Sequence, residues 1–270
     1  MYSPYKFADR IGNIGEPLPD LFKSLSCAKA VFRRGATSMI AGTPGSYKSI
    51  LALNMVTRWA RQGTRSLYFC ADSDEATVVT RLSGIITGEN FSTIERRMIA
   101  GNHERYTSRL SDALRLKAEF EYERMLGMEE LVLHVESYKA VYGGYPDVIF
   151  LDNLIDYVSS YLAFEEMQAL IGELDALAKM TSSHVCILHH AKLKDDFQKK
   201  DDTRGRGWPP ADWEIAGRLT QKPRMILTIA AQNSAVKVSV IKNSLGPQTP
   251  DASTVYDFAV YDSMQMVDRR

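Results

Sequence analysis

The sequence predicts an α/β fold with a mostly parallel, twisted sheet flanked by helices and a β-hairpin near the C-terminus. Continuous apolar runs such as VIFLDN and CILHH are typical of strands that are buried on both faces of a parallel sheet. These runs alternate with segments of helical spacing, which is the pattern of βαβ units. Two further strand-like runs, RMILTIAA and AVKVSVIKN, are joined by the short turn QNS, and this arrangement indicates a hairpin.

The predicted elements follow one another in a regular order. A short strand over residues 36–41 leads into a turn and then a helix that ends near Gly63. That helix carries apolar residues on most of its sides, as expected of a crossover helix packed against a sheet. The later elements are the strand RSLYFCA, the strand YPDVIFLDNL, a helix over FEEMQALIGELDALAKMTSS and the strand HVCILHH.

We expect one domain preceded by an N-terminal arm, because α/β folds often exceed 200 residues as a single unit. The arm covers residues 1–31 and the domain residues 32–270. Within the domain, residues 74–130 form a charged helical insert with no strand of its own. Residues 192–214 are polar, charged and punctuated by Gly and Pro, so we expect them to form a mobile loop.

The composition is that of a globular protein with a sizeable core and an ordinary charged surface. Hydrophobic residues make up 45% of the 270 residues and charged residues 24%. Lysine plus arginine equals aspartate plus glutamate, 33 each, so the chain as a whole has no electrostatic signature of nucleic-acid binding. A local basic loop remains compatible with this balance.

The cysteine pattern favours a reducing compartment. Cys27, Cys70 and Cys186 are far apart and form no C-x-x-C pair, which argues against a disulfide scaffold and against a zinc site. The sequence also has no run of about 18 apolar residues and no secretory signal pattern. We therefore expect a soluble protein of the cytoplasm.

A phosphate-binding loop is the central motif, and it follows the first strand. Such a loop points backbone N–H groups at phosphate oxygens from a helix N-terminus, while a lysine contacts the β- and γ-phosphates and a hydroxyl ligates Mg²⁺. Lys48 and Ser49 hold those two places, but the usual glycine before the lysine is Tyr47, whose side chain we expect to turn away from the phosphates. The candidate ATP-binding residues are Gly42, Thr43, Pro44, Gly45, Ser46, Tyr47, Lys48 and Ser49.

A carboxylate at a strand end is the candidate outer ligand of magnesium. Asp152 ends the apolar run VIFLD, where a carboxylate is costly to keep beside a hydrophobic core. It suits a Mg²⁺ ion bound through Ser49. The alternative is that Asp152 only caps the following turn.

A second acidic group follows the strand LYFCA. Asp72 stands where a carboxylate would activate the attacking water. Asp74 and Glu75 are close alternatives that could equally cap the next helix.

Two adjacent histidines end the strand HVCILHH. Side chains alternate along a strand, so we expect one imidazole at the ligand edge and the other in the packed interior. His190 is the candidate γ-phosphate sensor and His189 the packed neighbour. A zinc site at His184, His189 and His190 is disfavoured, because no thiolate or carboxylate lies at ligand spacing.

Taken together, these motifs resemble the RecA-like P-loop ATPases, and among them the hexameric replicative helicases of the DnaB and RepA types found in phages and plasmids. The matching order is GTPGSYKS, YFCAD, VIFLDN, LHHAK and VIKNSLGP, over residues 32–247. The resemblance implies a RecA-like core that hydrolyses ATP with Mg²⁺. It also implies roles for Lys48 and Ser49 at phosphate and metal, for Asp72 as the catalytic acid, for Asp152 as the Walker B aspartate and for His190 as sensor.

The resemblance departs from the family pattern in the last strand. DnaB-type proteins carry K-x-R-x-G there, and the lysine and arginine reach the ATP of the neighbouring subunit. This chain has Lys242, but Ser244 replaces the arginine finger, which supplies transition-state charge. Lys242 alone, or Arg204 or Arg206 from the loop, would then have to substitute. Only about thirty residues precede the core, so we expect no counterpart of the primase-interacting domain.

DNA would meet the loops that face the centre of a ring, according to the same resemblance. The segments KLKDDFQKK and TRGRGW offer cations and a tryptophan that can stack on a base. The candidate DNA-binding residues are Lys192, Lys194, Arg204, Arg206 and Trp208. The alternative is an ordinary solvated loop, since its aspartates nearly balance its lysines.

The leading hypothesis is an ATP-dependent helicase or translocase acting on single-stranded or forked DNA in replication, as a ring or filament with a hexamer favoured. A recombinase-like or regulatory ATPase that binds single-stranded DNA without unwinding is the second. A third is a DNA nuclease or binding protein on the same fold, with Asp72, Asp74 and Asp152 around a metal. A fourth is an ATPase switch that contacts a protein partner.

Overall fold

One sheet of nine strands forms the centre of the computed structural model, which describes residues 15–115, 117–123, 126–158, 164–191, 207–215 and 217–269. The strands lie in the order β3-β2-β4-β5-β1-β6-β7-β8-β9. Neighbours from β3 to β6 are parallel, and those from β6 to β9 are antiparallel. In chain order they are β1 (Thr37–Gly42), β2 (Ser66–Cys70), β3 (Ala118–Glu121), β4 (Val148–Asp152), β5 (His184–His190), β6 (Met225–Gln232), β7 (Ala235–Asn243), β8 (Tyr256–Val260) and β9 (Met266–Asp268).

Helices cover the sheet, and local signals set several of their ends. Asp74 and Asn90 cap helix starts with their side chains, while Gly88 and Gly143 end helices in left-handed backbone. The α-helices are α1 (Lys23–Cys27), α2 (Lys48–Arg61), α3 (Glu75–Thr87), α4 (Phe91–Ile99), α5 (Glu104–Leu114), α6 (Met128–Tyr142) and α7 (Phe164–Thr181). Short 3-10 helices cover Leu154–Tyr157, Asp212–Glu214 and Gly217–Thr220.

The sheet separates two hydrophobic cores, as its strand periodicity requires. Successive residues of β4 belong to different cores: Phe150 packs with Trp59 of α2 on one face, and Leu151 packs with Leu174 of α7 on the other. Both faces of the parallel strands are therefore buried by helices. The predicted fold, a mostly parallel sheet flanked by helices with a C-terminal hairpin formed by β6 and β7, is confirmed.

Two details of the predicted organisation are wrong. The insert over residues 74–130 contains a strand after all, β3, which pairs with β2 at the edge of the sheet. Its four residues, AEFE, are too short and too polar to give an apolar run. The chain also continues past the predicted hairpin into β8 and β9, which extend the antiparallel part of the sheet.

The described part of the N-terminal arm is packed into the body of the protein. Leu18, Phe22 and Leu25 are buried in the same core as α2. The indole N–H of Trp59 donates to the Pro19 carbonyl oxygen at 2.9 Å. Residues from 18 onward thus share the core of the predicted domain.

A membrane-spanning helix was also sought. Over the described ranges, no helix combines the length and the apolar character that crossing a bilayer would need.

Candidate functional site

Four strand ends of the parallel sheet meet at one edge and bring most of the predicted site residues together. Gly42 at the end of β1 is in register with His190 of β5, and Cys70 of β2 is in register with Asp152 of β4. The carboxyl ends of parallel strands are the usual location of ligand sites in such sheets. A cavity of about 420 Å³ opens there, and its lining includes Lys48, Ser49, Asp72, Asp152 and His190.

The loop before α2 requires left-handed backbone at the position where the sequence pattern lacks its glycine. Tyr47 directly precedes α2 and has φ 67° and ψ 26°. Glycine adopts this conformation freely, whereas other residues pay about 1–2 kcal/mol. The Tyr47 side chain is half-buried, lines the cavity and packs against the first core. The missing glycine is therefore a strained substitution in an intact loop geometry.

Gly42 shows a different need for glycine. A β-carbon there would lie 2.5 Å from the Ile229 carbonyl oxygen and from Ser46 Oγ. The start of the loop is closely enclosed by β6, so no side chain fits.

We expect Tyr47→Gly to keep ATP binding and to relieve the strained backbone. Tyr47→Ala is the matched control, because it removes the ring but keeps a β-carbon at positive φ. The glycine variant should exceed the alanine variant in unfolding free energy by about 1 kcal/mol. Nucleotide titration and denaturant unfolding of both variants measure the two effects. Loss of ATP binding in both variants would mean that the ring itself shapes the pocket.

Lys48 lies buried at the base of the cavity. Its Nζ donates to the carbonyl oxygens of Gly42 and Thr43, each at 3.1 Å, and lies 3.1 Å from His190 Nδ1. Burial lowers the pKa of Lys48 to about 8, against the opposing effect of Asp152 and Asp72. The side chain thus carries a charge at neutral pH while its direct partners are neutral oxygens and an imidazole, which suits an incoming phosphate.

Asp152 is almost fully buried, and one of its oxygens is unused. Oδ2 accepts a hydrogen bond from the Tyr68 hydroxyl at 2.7 Å, and the Ser49 side chain also hydrogen-bonds the carboxyl group. Oδ1 is buried and has no hydrogen-bond partner within the described residues. Burial raises the pKa of Asp152 to about 6, although Tyr68 and Ser49 oppose that rise.

These residues fit a magnesium ion. An orphaned buried carboxylate oxygen beside a hydroxyl is a set of hard oxygen donors, and a cation would compensate the cost of burying the charge. Burial, followed by the nearby Asp152, raises the pKa of Tyr68 well above its usual value, so the phenol stays protonated and donates.

The two histidines at the end of β5 occupy different environments. The half-buried His190 reaches the cavity, and burial followed by Lys48 lowers its pKa, which favours the neutral imidazole. His189 is buried, and neither ring nitrogen finds a hydrogen-bond partner in the described part of the chain. Burial lowers the pKa of His189 to about 4. His184 packs with its ring nitrogens against Ser38 and the Arg33 carbonyl oxygen.

The three acidic candidates after β2 are used differently. Asp72 is exposed and lines the cavity. Asp74 caps α3, because its carboxylate accepts from the Thr77 backbone N–H at 2.8 Å and from the Thr77 hydroxyl at 2.9 Å. Glu75 lies in the first turn of α3 and lines a separate surface groove. Of the three, Asp72 is the carboxylate at the cavity.

Lys242 does not join the others. Strand β7 runs antiparallel to β6, so Lys242 pairs with Ile226, toward the opposite edge of the sheet from the loop. Its Nζ donates to the carbonyl oxygens of Thr220 and Gln221 at 2.6 and 2.8 Å. Within one chain this lysine is therefore not part of the cavity.

The predicted DNA-binding residues lie mainly outside the described residues: Lys192, Lys194, Arg204 and Arg206. Trp208 is described and already has partners. Its indole N–H donates to the Ala252 carbonyl oxygen at 2.8 Å, and Lys237 Nζ lies 5.0 Å from the ring centroid. A base stacking on this indole would meet a ring that is partly packed in the fold.

The cavity also contains residues that sequence reasoning missed. Arg81 of α3, Phe91 at the start of α4 and Met264 in the turn before β9 all line it. The Arg81 guanidinium donates to Ser73 Oγ at 3.2 Å. No local motif marks these residues, because they reach the site only through tertiary packing.

Comparison with known proteins places this geometry in context. The family model described as an AAA domain matches residues 9–196, more than half of the chain. The Gene 65 protein of Mycobacterium phage L5 is 27% identical over 283 residues, covering 99% of both chains.

Two solved structures share the fold. A DnaB-like replicative helicase, described with its interactions with primase, aligns with a TM-score of 0.77 at 14% identity, over 98% of this chain and 66% of that chain. A second structure, of the ATPase domain of another protein, aligns with a TM-score of 0.76 at 15% identity, over 98% of this chain and 96% of that chain. The chain thus spans just under two thirds of the helicase chain, and at these identities the likeness concerns the fold.

Proposed function

This chain belongs to the AAA domain family, and from that premise we propose that it is an ATP-driven motor that acts on DNA. One observation carries the ATPase part of the proposal. The strand ends and the loop before α2 place a buried lysine, a hydroxyl, a buried carboxylate, an exposed carboxylate and an imidazole around one cavity. This is the set of groups that phosphoryl transfer to water requires.

Each residue has a distinct part in the proposed reaction. Backbone N–H groups at the start of α2 and the Lys48 ammonium bind the phosphates. Ser49 and Asp152 would hold magnesium, which when bound neutralises the charge of the phosphates. Asp72 orients the attacking water and accepts its proton. His190, 3.1 Å from Lys48 Nζ, is close enough to contact the terminal phosphate.

The rest of the cavity suits the nucleoside. Tyr47, Phe91 and Met264 contribute apolar surface to the lining, and Arg81 adds a planar cation. Aromatic and apolar walls with a few polar groups are typical of pockets for flat heterocycles. We propose that the base of ATP lies against these residues.

The DNA part of the proposal is supported by the fold and by the phage relative. A motor with the fold of replicative helicases would act on single-stranded or forked DNA during replication, in the cytoplasm of the bacterial host. The residues proposed to contact DNA remain Lys192, Lys194, Arg204, Arg206 and Trp208. Lys242 stays a proposed contact to the nucleotide of a neighbouring copy in a hexameric ring or filament.

A second candidate function is favoured by one residue. Ser244 stands where the family resemblance places an arginine finger. Without that charge, a recombinase-like or regulatory ATPase that assembles on single-stranded DNA and does not unwind is the alternative.

We expect single-stranded DNA to stimulate ATP hydrolysis several-fold at low salt. The stimulation should weaken as salt rises from about 50 to 200 mM, because phosphate contacts release counterions. The measurement is ATPase rate with single-stranded, duplex and forked DNA, with light scattering in ATP and Mg²⁺ to determine the assembly. Strand displacement on the fork separates a helicase from the second candidate. ATP hydrolysis that no DNA affects at low salt would point to a switch that acts on protein.

A further inference from the structure

We propose that Tyr68 is a positioning residue that holds the Asp152 carboxylate in the orientation needed for magnesium. The inference rests on the proposed function, because it assigns a supporting residue to the same site. Tyr68 lies in β2 and Asp152 at the end of β4, 84 positions later in the sequence. Neither the loop motif nor the strand-end aspartate indicates this contact.

The Tyr68 ring is rigidly held. It is fully buried and stacks on Phe150, with ring centroids 5.2 Å apart and an interplanar angle of 22°. Phe120 of the edge strand β3 packs at 5.4 Å. Two aromatic neighbours on adjacent strands fix the plane of the phenol, and therefore the point from which its hydroxyl donates.

The hydroxyl determines which oxygen of Asp152 is free. It donates to Oδ2 at 2.7 Å, while the buried Oδ1 has no partner in the described ranges. The backbone reinforces this pairing, since Ala71 N–H donates to the Asp152 carbonyl oxygen at 2.9 Å. With Oδ2 bound and the main chain tied, rotation of the carboxylate is restricted and Oδ1 remains available beside Ser49.

Removal of the hydroxyl would leave Oδ2 as a buried carboxylate oxygen without its donor. The carboxylate would then rotate toward other donors, and the oxygen pair would no longer be pre-set for a cation. Groups that orient metal ligands without touching the metal typically change metal affinity or activity by about 10–100-fold when removed. Tyr68→Phe removes only the hydroxyl and keeps the stacked ring.

The test measures the binding of a non-hydrolysable, fluorescent ATP analogue with Mg²⁺ and with EDTA. For Tyr68→Phe we expect the gain in affinity that Mg²⁺ provides to fall by roughly 10–100-fold, with unchanged affinity in EDTA. The matched control is Tyr138→Phe, because the buried Tyr138 hydroxyl in α6 has no hydrogen-bond partner among the described residues. That control should bind like the wild type in both conditions.

The outcomes separate this inference from the function it rests on. If the wild type gains no affinity from Mg²⁺, the proposed ATPase site fails and the inference fails with it. If the wild type gains affinity and Tyr68→Phe gains the same, only the positioning role is wrong. An equal loss in Mg²⁺ and in EDTA would indicate a general packing defect and would also overturn the inference.

Two further variants keep the test decisive. In the double variant with Asp152→Asn, adding Tyr68→Phe should cause no further loss, because the tyrosine acts through the aspartate. If Tyr68→Phe is too unstable to assay, Phe150→Leu loosens the ring but keeps the hydroxyl. It should produce a smaller loss of the same Mg²⁺-dependent affinity, and no loss would count against the proposal.

Discussion

Lys48→Ala is expected to reduce ATP turnover by roughly 10²–10³-fold, the cost of removing one pre-organised charge from a phosphate-transfer site. The fold should survive. The Lys48 ammonium is buried, and burial lowers its pKa to about 8, so the charged side chain is held at a cost that alanine removes. The measurement is ATPase rate together with the thermal unfolding midpoint, which we expect not to fall.

The matched control for this prediction is a lysine outside the cavity. Lys179→Ala removes an ammonium from the exposed surface of α7, where it pairs with Asp175. Turnover should remain at the wild-type level in that variant. If Lys48→Ala retains both nucleotide binding and turnover, the phosphate loop has been assigned to the wrong residues.

Asp152→Asn is expected to abolish most Mg²⁺-dependent turnover, by roughly 100-fold or more, while making the free protein more stable at neutral pH. Burial raises the pKa of Asp152 from 3.8 to about 6. The folded chain therefore binds a proton more readily than the unfolded chain between about pH 4 and pH 6. Stability is fully present below pH 4 and is lost as pH rises through 6, amounting to about 3 kcal/mol at pH 7.

The measurement is denaturant unfolding of the wild type and Asp152→Asn between pH 4 and pH 7.5 without nucleotide. The wild type should lose stability relative to the asparagine variant across that window and then reach a plateau. Asp257→Asn, which alters an exposed carboxylate paired with Lys237, is the control and should follow the wild type. A constant difference between wild type and Asp152→Asn would show that the buried carboxylate is not the source.

Much of the site could be predicted because its groups are local to recognisable strand ends. Asp152 and His190 each end a continuous apolar run, and Lys48 follows the first strand through a short loop. The fold class follows from the same runs, since their length and alternation with helices are direct consequences of burial on both faces.

The remainder depends on which elements become neighbours. The contact from Tyr68 to Asp152 exists because β2 lies beside β4, although the two strands are far apart in the chain. Phe91 and Met264 reach the cavity from a helix start and from the turn before the last strand. The edge strand β3 escaped prediction because pairing with β2, rather than its own sequence, makes it a strand.

Tyr47 shows both sides of this difference. The sequence pattern marks it as the residue in place of glycine, but the pattern does not reveal what the glycine is for. The backbone angles do, because φ at this position is 67°. The requirement is conformational, and a tyrosine meets it at an energetic cost.

The cavity walls have separate origins in the chain, and this bears on how nucleotide choice could diverge. The phosphate end consists of strand ends whose spacing is fixed by the sheet. Met264 belongs to a short C-terminal turn anchored to the loop helix by Asn54, which hydrogen-bonds the Met264 carbonyl oxygen and the Met266 N–H at 2.9 Å each. Exchanges in this turn would reshape the base pocket while the catalytic groups stay in place, so preference for one purine or another can drift independently of the hydrolytic chemistry.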